Sequence, residues 1–221
     1  MYKSKLYIQR KFSSDVLAEQ SSLIKSIIIE IDNNKNWKNT IFKTVSGLVC
    51  EKIFQNFKEI YNCETRVSVE YVFNKKTSNT SNSEKYVKMS GRRSHHRSTV
   101  KKSKPLCSRN NYFSYKIFIN NNKGINILNK TQIQDESIWY KNPNNSSIDI
   151  KKYIGIAVSR DNSDDVEFIL QIDCLDDIIF GENDSDEDVK EFIEQYIIAY
   201  INIISLSYLL NLNKNKNIPE V

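Results

Sequence analysis

A chain of 221 residues is long enough to bury a sizeable core, and 39% hydrophobic with 11% aromatic residues exclude wholesale disorder. The formal net charge of +5 hides a strong separation: residues 75–109 carry eleven Lys and Arg against Glu84, and residues 161–194 carry fourteen Asp and Glu against Lys190. Four cysteines at 50, 63, 107 and 174 make no C-x-x-C pair, which argues against a structural zinc site and reads as scattered reduced thiols, Cys50 and Cys174 in the core.

The opening "MYKSKLYIQRKFSSD" has no apolar run or cleavage site of a signal peptide. Richness in Asn, Lys and Ile points to an AT-rich bacterial or phage genome. Ser13 or Ser14 caps a first amphipathic helix with Val16, Leu17, Leu23, Ile24, Ile27, Ile28 and Ile31 at helical spacing. After "DNNKN", Asn39 or Thr40 starts a second, with Ile41, Phe42, Val45, Leu48, Val49, Ile53, Phe54, Phe57 and Ile60 on one broad face.

The period then changes. "TRVSVEYVF" alternates, with Val67, Val69, Tyr71 and Phe73 on one face and Arg66, Ser68 and Glu70 on the other, as in a half-buried antiparallel strand. "EKYVKM" supplies its partner strand, and "YFSYKIFIN", "YIGIAVSR" and "VEFILQID" read as further strands, the last two joined through "DNSDD". Residues 120–145 read as a long loop with one short strand at "GINIL". From Ser185 the period is helical again. Asp184 or Ser185 caps, "DED" sits at the positive end of the helix dipole, and Val189 to Ile204 supply apolar positions on more than one side. The apolar-rich run from Tyr196, broken by Asn202, Ser205 and Ser207, reads as too short to span a bilayer, so a cytoplasmic protein with no membrane partner is expected.

The stretch "YIGIAVSRDNSDDVEFILQIDCLDDIIFGENDSDEDVKEFIEQYIIAYINIISLSYLL" resembles the end of a GAF domain. That family closes with a Gly-containing strand, a strand of the "LQIDC" kind, an acidic linker with a Phe, and a long terminal helix; the earlier helix followed by "TRVSVEYVF" fits its opening. The resemblance spans residues 38–211 and departs where short helices are usual, between the second and third strands, which here hold a basic polar segment. It implies an α+β fold: an antiparallel sheet of about five to six strands with helices packed on one face. The division expected is a helical extension at 1–36, the GAF-like domain at 37–212 and a polar tail at 213–221. The function implied is ligand sensing or regulation through a protein partner, without catalysis.

"SGRRSHHRSTVKKSK" is the segment a ligand would meet. Arg92, Arg93 and Arg97 with His95 and His96 form a candidate anion site beside Tyr86 and Tyr115, because arginine forks bind phosphate oxygens and Ser94, Ser98 and Thr99 add hydroxyl donors. An anionic small molecule or nucleotide is the ligand class expected. The same segment, with Lys101, Lys102, Lys104 and Arg109, instead fits a nucleic-acid track on which Tyr86, Tyr112, Phe113 and Tyr115 stack bases. A third reading is a solvated loop. Neighbouring histidines diverge on strand or helix, so no metal site is expected there, and His95 or His96 as a general base is the weakest reading. No cofactor is expected. "GENDSDEDVKE" lacks the ordered ligand spacing of a calcium loop and reads as a helix start. Ile197, Tyr200, Ile201 and Ile204, in excess of what one sheet covers, predict a homodimer through the helices.

Overall fold

The computed structural model describes residues 18, 20–29, 32–33, 37–76, 83–94, 103–107, 112–140, 149–160 and 163–213. The chain divides into two compact units, a helical one of residues 1–62 with 179–221 and a sheet unit of residues 63–178. These boundaries fall at Asn62/Cys63 and Ile178/Ile179, whereas the sequence placed a boundary at 36/37.

In the helical unit, α1 (Gln20–Ile29) and α2 (Trp37–Tyr61) form where the apolar stripes predicted helices. Along α2, Ile41, Val45, Val49, Ile53 and Phe57 are fully buried at spacings of four, each side chain contributing about 1.5–3 kcal/mol by leaving water. Among the described residues of α1, Leu23 is buried, and Ile24, Ile28 and Ile29 are about half exposed. The C-terminal rod consists of α5 (Asp186–Phe192), a π turn (Ile193–Ile197) and α6 (Ile198–Asn213). Ser185 is the N-cap in a full capping box: its hydroxyl accepts from the Asp188 N–H, and the Asp188 side chain accepts from the Ser185 N–H. The rod packs along α2, with Phe192 of α5 against Phe57 (5.8 Å) and, on α6, Tyr208 against Phe42 (5.0 Å) and the Tyr200 hydroxyl accepting from the Asn56 amide (3.2 Å).

Two expectations change here. The rod runs without a break over Asp186–Leu212, 27 residues with a window of mean hydropathy 1.3, and by length and composition it is long enough to cross a membrane; its two serines fit within it because their hydroxyls donate back to the helix, Ser205 Oγ to Ile201 O and Ser207 Oγ to Ile204 O. The four residues expected to form a dimer face are covered within the single chain: Ile197, Tyr200, Ile201 and Ile204 are 0–4% exposed. What the rod leaves outside is Ile198, Leu206 and Leu209.

Among the described residues, the sheet unit contains six antiparallel strands: β1 (Thr65–Lys76), β2 (Ser83–Arg93), β3 (Lys104–Pro105), β4 (Gly124–Leu128), β5 (Lys152–Val158) and β6 (Phe168–Cys174), in the order β3-β2-β1-β6-β5-β4. With the helices, this is the α+β fold expected. Strands β1, β4, β5 and β6 form where alternation or apolar runs predicted them. Two short helices, α3 (Phe113–Asn120) and α4 (Lys130–Gln134), pack on one face. There Tyr115, Ile117, Phe118 and Ile133 meet Val87, Leu128, Tyr153, Ala157 and Ile169 in one apolar cluster.

α3 is "YFSYKIFIN", expected as a strand. Its Phe113, Tyr115 and Ile117 do alternate, but Ser114, Tyr115, Ile117 and Phe118 are the residues buried, a helical pattern. Asn121 ends the helix in the left-handed region (φ 53°), a conformation Asn tolerates better than most residues. Residues 120–145, expected as a long loop with one short strand at "GINIL", carry that strand as β4 and also α4, which is capped by a reciprocal Asn129–Gln132 box.

Candidate functional site

Register places a line of polar residues straight across the face that α3 and α4 cover. Arg92 on β2 opposes Ser68 on β1, Ser68 opposes Gln171 on β6, and Gln171 opposes Gly155 on β5. One rung away, Arg66 opposes Asp173; on the other side stands Glu70, 3% exposed. "TRVSVEYVF" thus alternates as read, yet its polar side is not a solvent face. Polar groups at this depth require partners, and for Arg66, Asp173 and Gln171 these come from neighbouring strands.

Arg66 donates through Nε (3.0 Å) and Nη2 (2.6 Å) to Asp173 Oδ2, with both side chains about 15% exposed. The Tyr153 hydroxyl donates to Gln171 Oε1 at 3.3 Å. Its ring lies over Gly155, where a Cβ would stand 2.5 Å from the hydroxyl oxygen. Phe113 and Trp139 hold that ring at 5.3 and 5.2 Å between centroids. Burial, with Asp173 and Glu70 adding like charge, raises the Tyr153 phenol far above its ordinary value, and burial with Glu70 does the same to Tyr115. Both stay neutral hydroxyl donors.

Arg92 is the informative member. Its guanidinium is held below its ordinary value, first by burial and then by the Arg66 charge, against the opposing pull of Asp173 and Glu70. Asp173 is already engaged by Arg66, so around Arg92 the carboxylates do not offset the cost of burying a second cation.

The predicted site residues separate. Arg92 and Tyr115 reach this face; Arg93 and Tyr86 stand on the opposite one, Arg93 against Val67 and Tyr86 against Phe73. In a regular strand Tyr86 and Arg92, six apart, would share a face. A β-bulge at Ser90, where Val69 pairs with Gly91 and Glu70 with Met89, inserts one residue and reverses the parity beyond it. Tyr86 instead joins a run of rings with Phe73 (6.0 Å) and Tyr71, and Lys75 Nζ lies 5.1 Å from its centroid. Lys104, on β3, caps the Tyr112 ring at 5.1 Å. His95, His96, Arg97, Lys101, Lys102 and Arg109 lie outside the described residues.

Arg66, Ser68, Glu70, Tyr153, Gln171 and Asp173 were missed as site residues. The available signal was polar spacing of two within strands otherwise apolar, Arg66-Ser68-Glu70 and Gln171-Asp173. The charge separation is met partly inside the unit: Lys85 pairs with Asp165 (2.6 Å) and Lys123 with Asp164 (3.3 Å), both at the surface. In the acidic run, Asp188 Oδ2 accepts from the Asn183 and Ser185 N–H groups, and Asp184 Oδ1 accepts from Phe180 N–H (3.0 Å). These carboxylates build the helix start. No group of three or more potential metal-ligating side chains occurs among the described residues.

No protein-family model matches the chain, and no curated protein matches it. Among solved structures it is similar to a fragment of a methyl-accepting chemotaxis protein, at 13% identity and a TM-score of 0.44, over 82% of this chain and 98% of that chain. At that level the likeness carries nothing about ligand or activity.

Proposed function

We propose that the protein is a GAF-like, non-catalytic sensory domain that binds an anionic small molecule, of phosphate or nucleotide type, on the polar face of its sheet, and signals in the cytoplasm through a protein partner. The observation that carries this reading is the charge shortfall at Arg92. A half-buried guanidinium that feels Asp173, which another arginine already engages, gains most from an incoming anion, with Ser68 opposite it and Gln171 and the neutral Tyr153 hydroxyl farther across the same face. The GAF-like reading is supported by the order of the closing elements: Gly155 within β5, "LQIDC" ending β6, Phe180 in the acidic linker, then the long terminal helix. Homodimerisation, if it accompanies this function, uses α1, where Ile24, Ile28 and Ile29 are exposed.

The test is calorimetric titration with inorganic phosphate, mononucleotides and small carboxylates. Arg92→Ala should weaken binding by roughly tenfold or more, since charge-assisted hydrogen bonds contribute about 1.5–3 kcal/mol. Arg93→Ala, on the opposite face, should leave affinity unchanged. Equal effects of the two substitutions, or no binding of any anion in the series, would overturn the reading. A nucleic-acid-binding function is favoured by one separate observation, the Tyr71–Phe73–Tyr86 rings on the Arg93 face, with Lys75 over the Tyr86 ring. It predicts binding that falls steeply with salt and weakens on Arg93→Ala or Tyr86→Ala, not on Arg92→Ala.

A further inference from the structure

Cys63 and Cys174, read from the sequence as unrelated thiols, meet at one end of the sheet unit. β1 and β6 keep their register beyond the last ladder pair. Thr65 opposes Cys174, the Leu175 N–H donates to Glu64 O at 2.8 Å, and the Glu64 N–H donates to Asp176 Oδ2 at 2.7 Å. Cys63 therefore falls opposite Asp176, whose carbonyl its thiol approaches at 4.0 Å. In an antiparallel pair, residues diagonal by two share a face, so Cys63 and Cys174 stand as diagonal neighbours on one face of the sheet. Both side chains are buried, at 1% and 0% exposure, but at strand ends, where local opening is least costly.

We propose that Cys63 and Cys174 form a redox-active dithiol that hydrogen peroxide converts to an intrachain disulfide. The roles follow from the contact between the sulfurs. The hydrogen bond from Cys174 holds the Cys63 thiol below its ordinary value, whereas the same contact and burial push Cys174 up, so Cys63 is the attacking sulfur. The Cys63 thiolate attacks one peroxide oxygen; an S–O bond forms and the O–O bond breaks. The departing hydroxide takes up the proton lost by Cys63, giving water and a Cys63 sulfenic acid. The Cys174 sulfur then attacks the Cys63 sulfur, forming S–S and breaking S–O, and the second hydroxide leaves as water with the Cys174 proton. The two sulfurs lose two electrons together, and one peroxide becomes two waters. The product ties the start of β1 to the end of β6, close to the points where the chain enters and leaves the sheet unit.

The experiment is a non-reducing peptide map of the full chain after treatment with hydrogen peroxide, with dithiothreitol reversal. A Cys63–Cys174 linked peptide is expected, with two thiols lost per chain and a thermal midpoint that rises on oxidation and returns on reduction. In Cys174→Ser, dimedone should trap Cys63 as its sulfenic acid. In Cys63→Ser, Cys174 should stay unmodified. Oxidation confined to Cys107, or a Cys63–Cys174 link found only under denaturing conditions, would overturn the proposal. The wild-type map needs no variant, so poor folding of either serine variant leaves the result decisive.

Discussion

Substituting Gly155 by Ala isolates the packing that shapes the polar face. Glycine inside a strand ordinarily weakens it, and alanine in its place gains about 0.5–1 kcal/mol. At 155 the sign reverses. The added Cβ would stand 2.5 Å from the Tyr153 hydroxyl oxygen and 2.9 Å from Cε1 and Cζ, and the ring is 1% exposed, held by Phe113 and Trp139. Overpacking of this kind costs about 1–3 kcal/mol, so a net loss of about 1–2 kcal/mol is expected once the strand propensity is subtracted. That corresponds to a fall of roughly 2–8 °C in thermal midpoint for a chain of this size. Urea unfolding followed by tryptophan fluorescence measures it, because Trp139 contacts the displaced ring. In a Tyr153→Leu background the obstruction is gone, and Gly155→Ala should become neutral or stabilising, a coupling that a double-mutant cycle reads directly. Equal stability of Gly155→Ala and wild type, or the same loss in both backgrounds, would refute the argument.

Asp173→Asn should destabilise by about 2–3 kcal/mol in urea unfolding, because it leaves the enclosed Arg66 guanidinium without its counter-charge; joint replacement by Arg66→Leu with Asp173→Leu should cost less than the sum of the single changes. Ser185→Ala removes the N-cap of α5 and should cost about 1 kcal/mol, read from the thermal midpoint. Hydrogen bonds from the Ser185 backbone and hydroxyl, then from Asn183, hold the Asp188 carboxyl below its ordinary value of about 3.9. Its contribution is thus present above about pH 4 and is lost as pH falls through the lower folded-state value. Asp188→Asn, which keeps an acceptor but cannot titrate, should flatten stability against pH in that acid range and leave the slope near neutrality unchanged.

Local pattern determined much of this chain by itself. The alternation of "TRVSVEYVF", the apolar runs at "GINIL", "YIGIAV" and "FILQI", and the helical stripe of α2 each led to the element found, because side-chain period and backbone geometry are coupled within a few residues. Ser185 was legible as a cap for the same reason. The candidate site was legible only at Arg92 and Tyr115. Its other members come from β1, β5 and β6, and nothing local states that Arg66, Ser68 and Glu70 face α3 and α4 and not water. The placement of α3 and the bulge at Ser90 were tertiary decisions as well. A segment whose apolar residues satisfy both periods takes the one that covers the exposed face of the sheet, and a single inserted residue sends Tyr86 and Arg92 to opposite faces. The meeting of Cys63 with Cys174 has the same origin: strand register, set by residues far apart in sequence, makes two distant thiols diagonal neighbours on one face.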